Sequence, residues 1–401
     1  MPVLPALALL LAPPPAKPAC RPDDGGLTLD AGLCATVLAS DLGPVRHLVV
    51  APNGDLFAAV EGPGGGITAL RDADGDGVAE TRKRFGPGGG HGIALSATHL
   101  YFSTSAAVYR WAWTRGQLEP QGEPEVVVRD LPTGGHRTKS LVLHGDTLFV
   151  NVGSQTNSCQ AKDRAERSPG LDPCTELETR AGVWAFSATR TGQRLADGTR
   201  YATGLRNAVA MAIEPGTRTL WVGTHGRDQL GQNWGYPDSL NAELPAEEVG
   251  PAPRGADYGW PFCYYDGRQQ RKVLAPEYGG DGQAVGRCRA ASTPAVAFPA
   301  HWAPIALAFL PPDALGGGAW GGGALVSWHG SWNRAPLPQQ GFRVSFVPMQ
   351  GGKPSGPPRT FAIGRAGETW LRASGLAVAP DGGVYVASDA RGTVWKVVRR
   401  P

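Results

Sequence analysis

One pattern recurs six times along the 401-residue chain and constrains the fold more than any single motif. A short apolar strand, a polar turn and a second apolar strand appear at Leu48–Val60, Gly92–Ser103, Leu141–Val152, Ala210–Val222 and Gly375–Ala387. A sixth copy, stretched by a glycine-rich insert, runs from Ala306–Leu310 to Ala324–Ser327. Turns such as Pro52-Asn53-Gly54 and Gly145-Asp146 carry hairpin chemistry. The spacing leaves room for four strands and loops per unit, so six units closing on themselves predict an all-β, six-bladed β-propeller. Residues 157–180, 229–300 and 335–370 read as long inserted loops, where sites tend to lie. The stretch Cys34–Ser40 is expected to pair with Thr393–Val398, which removes the open edge of the last blade. An array of two-sheet sandwiches is the other arrangement the repeats allow.

Composition agrees with sheet. The 57 glycines and 36 prolines disfavour helical bundles, and 12 Trp, 9 Tyr and 11 Phe disfavour disorder. The 38 basic and 35 acidic residues leave a net charge of +3 with no basic block, so a nucleic-acid surface is not expected. All but seven of the basic residues are arginine, so a lone Arg signals little.

Residues 3–12 form an apolar run too short to span a bilayer and placed like a secretory leader. Residues 1–19 are therefore expected to direct export to a periplasmic or secreted location, with one domain over 20–401. Cys20 also marks a place for a lipid anchor, although Lys17-Pro18-Ala19 before it matches such a site poorly. No later stretch is apolar enough to span a membrane. Six cysteines permit fifteen pairings. The simplest joins neighbours: Cys20–Cys34, Cys159–Cys174 and Cys263–Cys288.

Three stretches carry a resemblance. They are Gly134-Gly-His136-Arg-Thr-Lys139 with Asn151-Val-Gly-Ser-Gln155; Gly204-Leu-Arg206-Asn207 with Thr224-His-Gly226-Arg227; and His329-Gly-Ser-Trp-Asn333-Arg334 with Leu371-Arg372. Together they resemble the soluble pyrroloquinoline quinone (PQQ) dehydrogenases of the glucose/sorbosone dehydrogenase family, in the sorbosone/pyranose branch. The resemblance implies a PQQ- and Ca²⁺-dependent enzyme that oxidises an aldose or related aldehyde sugar at C1. It implies His136 as general base, apt because an imidazole accepts a hydroxyl proton near neutral pH. Lys139, Arg206, Asn207, His329, Asn333, Arg334 and Arg372 would contact the cofactor, Gln155 and His91 the substrate. The carbonyls of Gly226 and Arg227 would ligate calcium, which takes neutral oxygens. Val209 and Ser374 depart from the soluble glucose enzymes, which carry Gln and Arg there. The electrons would pass on to an acceptor such as a cytochrome or a quinone.

Other readings remain open. Asp72-Ala-Asp74-Gly-Asp76-Gly77 is either a second calcium loop or an Asp-Gly turn, since Lys83 occupies its twelfth position. His91 either faces the funnel or is a satisfied structural histidine. A calcium-dependent lactonase and a non-catalytic carbohydrate-binding propeller share the expected fold, which alone does not decide function.

Overall fold

A computed structural model describes residues 20–367 and 369–401. The expected leader, 1–19, lies outside the described residues. Six antiparallel sheets surround one axis. Blade I is built from Val45–Val50, Leu56–Val60, Gly66–Arg71 and Thr81–Phe85, and blade II from Ile93–Leu95, His99–Ser103, Val108–Ala112 and Glu125–Val128. Blade III takes Leu141–His144, Thr147–Val152, Gly182–Ser187 and Thr199–Thr203. Blade IV takes Ala210–Ile213, Leu220–Thr224, Glu247–Pro251 and Val296–Phe298. Blade V holds Pro304–Leu310, Gly323–Trp328, Arg343–Gln350 and Arg359–Gly364, and blade VI holds Ala373–Val378, Val384–Ser388 and Thr393–Arg399.

The innermost pair of every blade is one of the six hairpins read from the sequence, in registers such as Leu48↔Ala58 and Leu141↔Val150. Closure is as expected. Leu33–Ala39 completes blade VI by pairing with its last strand, Cys34 opposite Val398 and Thr36 opposite Lys396. A further strand, Leu27–Leu29, adds to the outer edge of blade V.

Two of the expected insertions hold blade strands. The 229–300 segment supplies the third and fourth strands of blade IV, and 335–370 supplies those of blade V. Charge at Glu247-Glu248 hid the former: both carboxylates are buried in the strand, against the usual polar-out rule. Residues 157–180 do form an insertion, between the second and third strands of blade III.

Apolar clusters fill the seams between blades. Phe346 and Leu325 of blade V pack with Trp395 and Val386 of blade VI, each at most 1% exposed. Full burial of such a side chain contributes roughly 1.5–3 kcal/mol. Serine hydroxyls join inner strands across seams: Ser103 to the Lys139 carbonyl (2.5 Å), Ser140 to that of Val209 (2.6 Å), and Ser327 to that of Ser374 (2.5 Å). Val209 and Ser374, contrasted above with the soluble glucose enzymes, are thus buried parts of the seams.

All three neighbour pairings of cysteine are disulfides, with Cα–Cα distances of 5.4, 6.1 and 5.6 Å. A Cys20 sulfur in a disulfide has no valence left for a lipid thioether. No helix among the described residues is long and apolar enough to cross a membrane.

Candidate functional site

In a ring of hairpins every turn points to one end of the axis and every open end to the other. Residues just before a first strand and just after a second strand therefore meet at one mouth. His91, His136, Arg206 and Arg372 come from the first class, and Arg46 is the second residue of the first strand of blade I; Glu61, Gln155, Asp228, His329 and Asp389 come from the second class.

His136 precedes the first strand of blade III. Its Nδ1 lies 3.0 Å from the carbonyl oxygen of Ser154 and 3.0 Å from the Ser154 hydroxyl. Nδ1–H donating to a carbonyl leaves Nε2 with a free lone pair. Burial, then the charge of Arg206, lowers the imidazole pKa to about 3, so it is neutral at physiological pH. The seat demands glycine: a Cβ on Gly153 would fall 2.6 Å from the His136 Cβ and 2.8 Å from the Asn207 amide oxygen. Gln155 lies against Gly134 and Gly135 of the same loop.

Arg206, 4% exposed, gives every nitrogen to the site. Nε donates to the Asn157 carbonyl (3.1 Å), one terminal nitrogen to the Gly226 carbonyl (2.7 Å), and the other to Asn157 Oδ1 (3.1 Å) and Asp228 Oδ2 (2.8 Å). Asp228 also accepts from Arg164 (2.9 Å) and Asn333. Burial pushes its carboxyl upward, but Arg206 and Arg164 outweigh this and hold it well below the usual range. Asn207 takes the Asn151 amide at 3.3 Å. The Arg227 side chain leaves the mouth for buried Glu277 (2.5 Å). Glu247 ties this loop to blade V, accepting from the amides of Gly226 (3.0 Å) and Ala303 (3.1 Å).

Across the mouth, His329 Nε2 is 2.6 Å from Asp389, which also takes Arg46 (2.6 Å), and Arg372 lies 2.8 Å from the His329 ring. Arg46 continues to Glu61 (3.6 Å), which pairs with His91 at 3.0 Å. The His91 hydrogen bond is the main cause that lowers Glu61 to about 2. His91 is buried in this arc, and its Nδ1 has no hydrogen-bond partner among the described residues.

Two predicted cofactor contacts are not at the mouth. Lys139 is wholly buried beneath the His136 loop, with Nζ donating to the Arg137 carbonyl at 2.9 Å. Burial, then Arg180, lowers its amine to about 7. Arg334 turns into the scaffold, bonding the carbonyls of Ala242 and Pro338 (3.1 Å). Both cations satisfy backbone oxygens, because a buried charge needs a near partner.

Arg46, Glu61, Asn157, Asp228 and Asp389 escaped the sequence reading. Position at a hairpin's open end is the signal for all but Asn157, which belongs to the blade III insertion. Away from the mouth, Asp72, Asp74 and Asp76 gather with Glu80, their carboxylate oxygens within 4.8 Å of one another. Glu80, at position nine, supplies the acid that Lys83 does not, and such a set suits a hard cation.

The mouth fits a polyanionic, carbonyl-rich cofactor. Arg46, Arg137, Arg164, Arg206 and Arg372 outnumber the four carboxylates paired with them, those of Glu61, Asp163, Asp228 and Asp389. Buried polar atoms without a hydrogen-bond partner among the described residues remain there: Asn333 Oδ1, His91 Nδ1, Arg46 Nε and Asp389 Oδ1, the last two in ion pairs only, at 3.6 Å. The backbone carbonyls of Arg227 and Gly226, the latter also taking Arg206 at 2.7 Å, are neutral oxygens of the kind calcium accepts.

Solved structures share this architecture. The holo form of the PQQ domain of pyranose dehydrogenase from Coprinopsis cinerea aligns with a TM-score of 0.77 at 21% identity, over 96% of this chain and 99% of that one. The calcium structure of a carbohydrate-active enzyme of family AA12 from Trichoderma reesei gives 0.78 at 19% identity, over 94% and 97%. The PQQ-bound aldose sugar dehydrogenase of Streptomyces coelicolor gives 0.57 at 17%, over 92% and 100%. No curated protein matches the chain. Residues 27–400 match the TrAA12-like family, and the chain belongs to it.

Proposed function

We propose that this protein is an exported, PQQ- and Ca²⁺-dependent dehydrogenase that oxidises an aldose or related aldehyde sugar at C1. One observation carries the reading: His136 is held through Nδ1, at 3.0 Å from the Ser154 carbonyl, with Nε2 free at a mouth lined by arginines. The names of the structural neighbours, a pyranose dehydrogenase PQQ domain and a PQQ-bound aldose sugar dehydrogenase, support it.

Arg206, Asn207, His329, Asn333 and Arg372 would hold the cofactor, and the carbonyls of Gly226 and Arg227 the calcium. When bound, PQQ supplies the two-electron oxidant and Ca²⁺ the Lewis acidity that sharpens it. His136 Nε2 takes the proton of the C1 hydroxyl as hydride departs, in the neutral state that burial secures. Anionic charge against Arg206 removes part of the repulsion that weakens His136, so the base strengthens where it is needed. Gln155 and His91 line the substrate side. Lys139 supports the His136 loop from beneath, and Arg334 anchors the segment bearing Asn333. The electrons leave to a cytochrome or a quinone. Three disulfides support an oxidising compartment, periplasmic or extracellular.

The test is reconstitution. Purified protein given PQQ and Ca²⁺ should reduce a redox dye with aldoses present and gain thermal stability. No thermal shift at saturating PQQ and Ca²⁺ sinks the proposal.

A further inference from the structure

Of the twelve tryptophans, eleven pack wholly or partly into the fold; Trp332, 58% exposed, is the exception. Its exposure is built in, because the backbone on both sides is pinned. Before it, the amides of His329 and Gly330 donate to the carbonyls of Ala303 (3.0 Å) and Trp302 (2.8 Å). After it, the Asn241 amide donates to the Asn333 carbonyl (3.0 Å), Asn333 grips Asp228, and Arg334 bonds the carbonyls of Ala242 and Pro338.

The two polar clusters of the mouth flank this residue along the chain. Three residues earlier is His329, with Asp389 and Arg372; one residue later is Asn333, joined through Asp228 to Arg206 beside His136. An indole offers a flat apolar face with negative quadrupole, which attracts the polarised C–H face of a sugar ring. Polar side chains on either side suit the hydroxyls at the ring edge, and Asn333 Oδ1 has no hydrogen-bond partner among the described residues.

We propose that Trp332 is a stacking platform for the pyranose ring, which makes a cyclic sugar rather than an open-chain aldehyde the preferred substrate class. The proposal rests on the dehydrogenase reading.

The experiment compares Trp332→Ala and Trp332→Phe with the parent, all loaded with PQQ and Ca²⁺. Substrates are glucose, as a pyranose, and glycolaldehyde, which has no ring. Trp332→Ala should raise KM for glucose about tenfold, the value of one lost aromatic contact, with kcat within about twofold. KM for glycolaldehyde and affinity for PQQ should not move, and Trp332→Phe should recover part of the loss. An equal rise for both substrates, no rise, or a change confined to the electron acceptor overturns the proposal. A second readout needs no turnover: glucose should change the parent's tryptophan emission but not that of Trp332→Phe. If the parent oxidises neither substrate, the dehydrogenase reading fails while the emission titration still decides the stacking.

Discussion

Asn157 holds Arg206 at two points: its carbonyl takes Nε at 3.1 Å and its side-chain oxygen takes a terminal nitrogen at 3.1 Å. The same side chain grips the neighbouring loop, accepting from the Asp228 amide (2.9 Å) and donating to the Asp228 carbonyl (3.0 Å). One buried asparagine thereby sets the arginine and the 226–228 loop against each other. Trp260 completes the clamp by donating to the Asn157 carbonyl at 2.9 Å.

Asn157→Ala leaves Arg206 and the Asp228 amide short of an acceptor. Buried groups left in that state cost about 1–3 kcal/mol. Affinity for PQQ in the presence of Ca²⁺ should fall by about 10- to 100-fold, read by titrating quinone absorbance. Unchanged affinity in a folded variant would remove the clamp from the account.

For His136→Ala, binding and chemistry should separate. PQQ affinity should stay within a few-fold, because in the proposed site arginines would hold the carboxylates, while turnover drops by about 10²–10⁴. Near-normal turnover of the PQQ-loaded variant would dismiss His136 as base.

Acid should loosen the fold through buried imidazoles. His47, bonded to the Ile305 carbonyl at 3.0 Å, is held at about 4, mainly by burial; His136 is held at about 3. Between the ordinary value near 6.5 and these values the unfolded chain binds protons that the folded chain refuses. The contribution is full above pH 6.5 and is lost as pH falls toward 4 and then 3. Thermal melts from pH 7.5 to 4 should show Tm declining. His47→Gln, which keeps a donor without the titration, should decline less; parallel declines would contradict the assignment.

The Cys159–Cys174 disulfide closes the loop that begins two residues after Asn157. Replacing both cysteines with serine should lower stability by about 3 kcal/mol in the chain-entropy account. It should also weaken PQQ binding by freeing the clamp. A variant that loses stability but binds PQQ as tightly as the parent would show that the staple serves the fold alone.

How much was legible in the chain follows from distance along it. Each hairpin is local: period-two alternation and turn residues a few positions apart specify it, so all six were readable and their closure followed. The cysteine pairs were readable for the same reason, being neighbours separated by 14, 15 and 25 positions. His136, Arg206, Asn207, His329 and Arg372, singled out by motif, each follow or precede a strand at the mouth. Partner choice was out of reach. Arg46 meets Asp389 across 343 residues, and only ring closure decides that the two share a seam. Closure likewise decided that Lys139 and Arg334 turn inward. The sequence reading expected both to contact the cofactor, but a buried polar head must take the nearest oxygen, and the fold placed backbone carbonyls within reach. Local pattern thus determined the strands and the end of the ring where they open. Packing between blades determined which side chains face that opening and which are consumed in holding it.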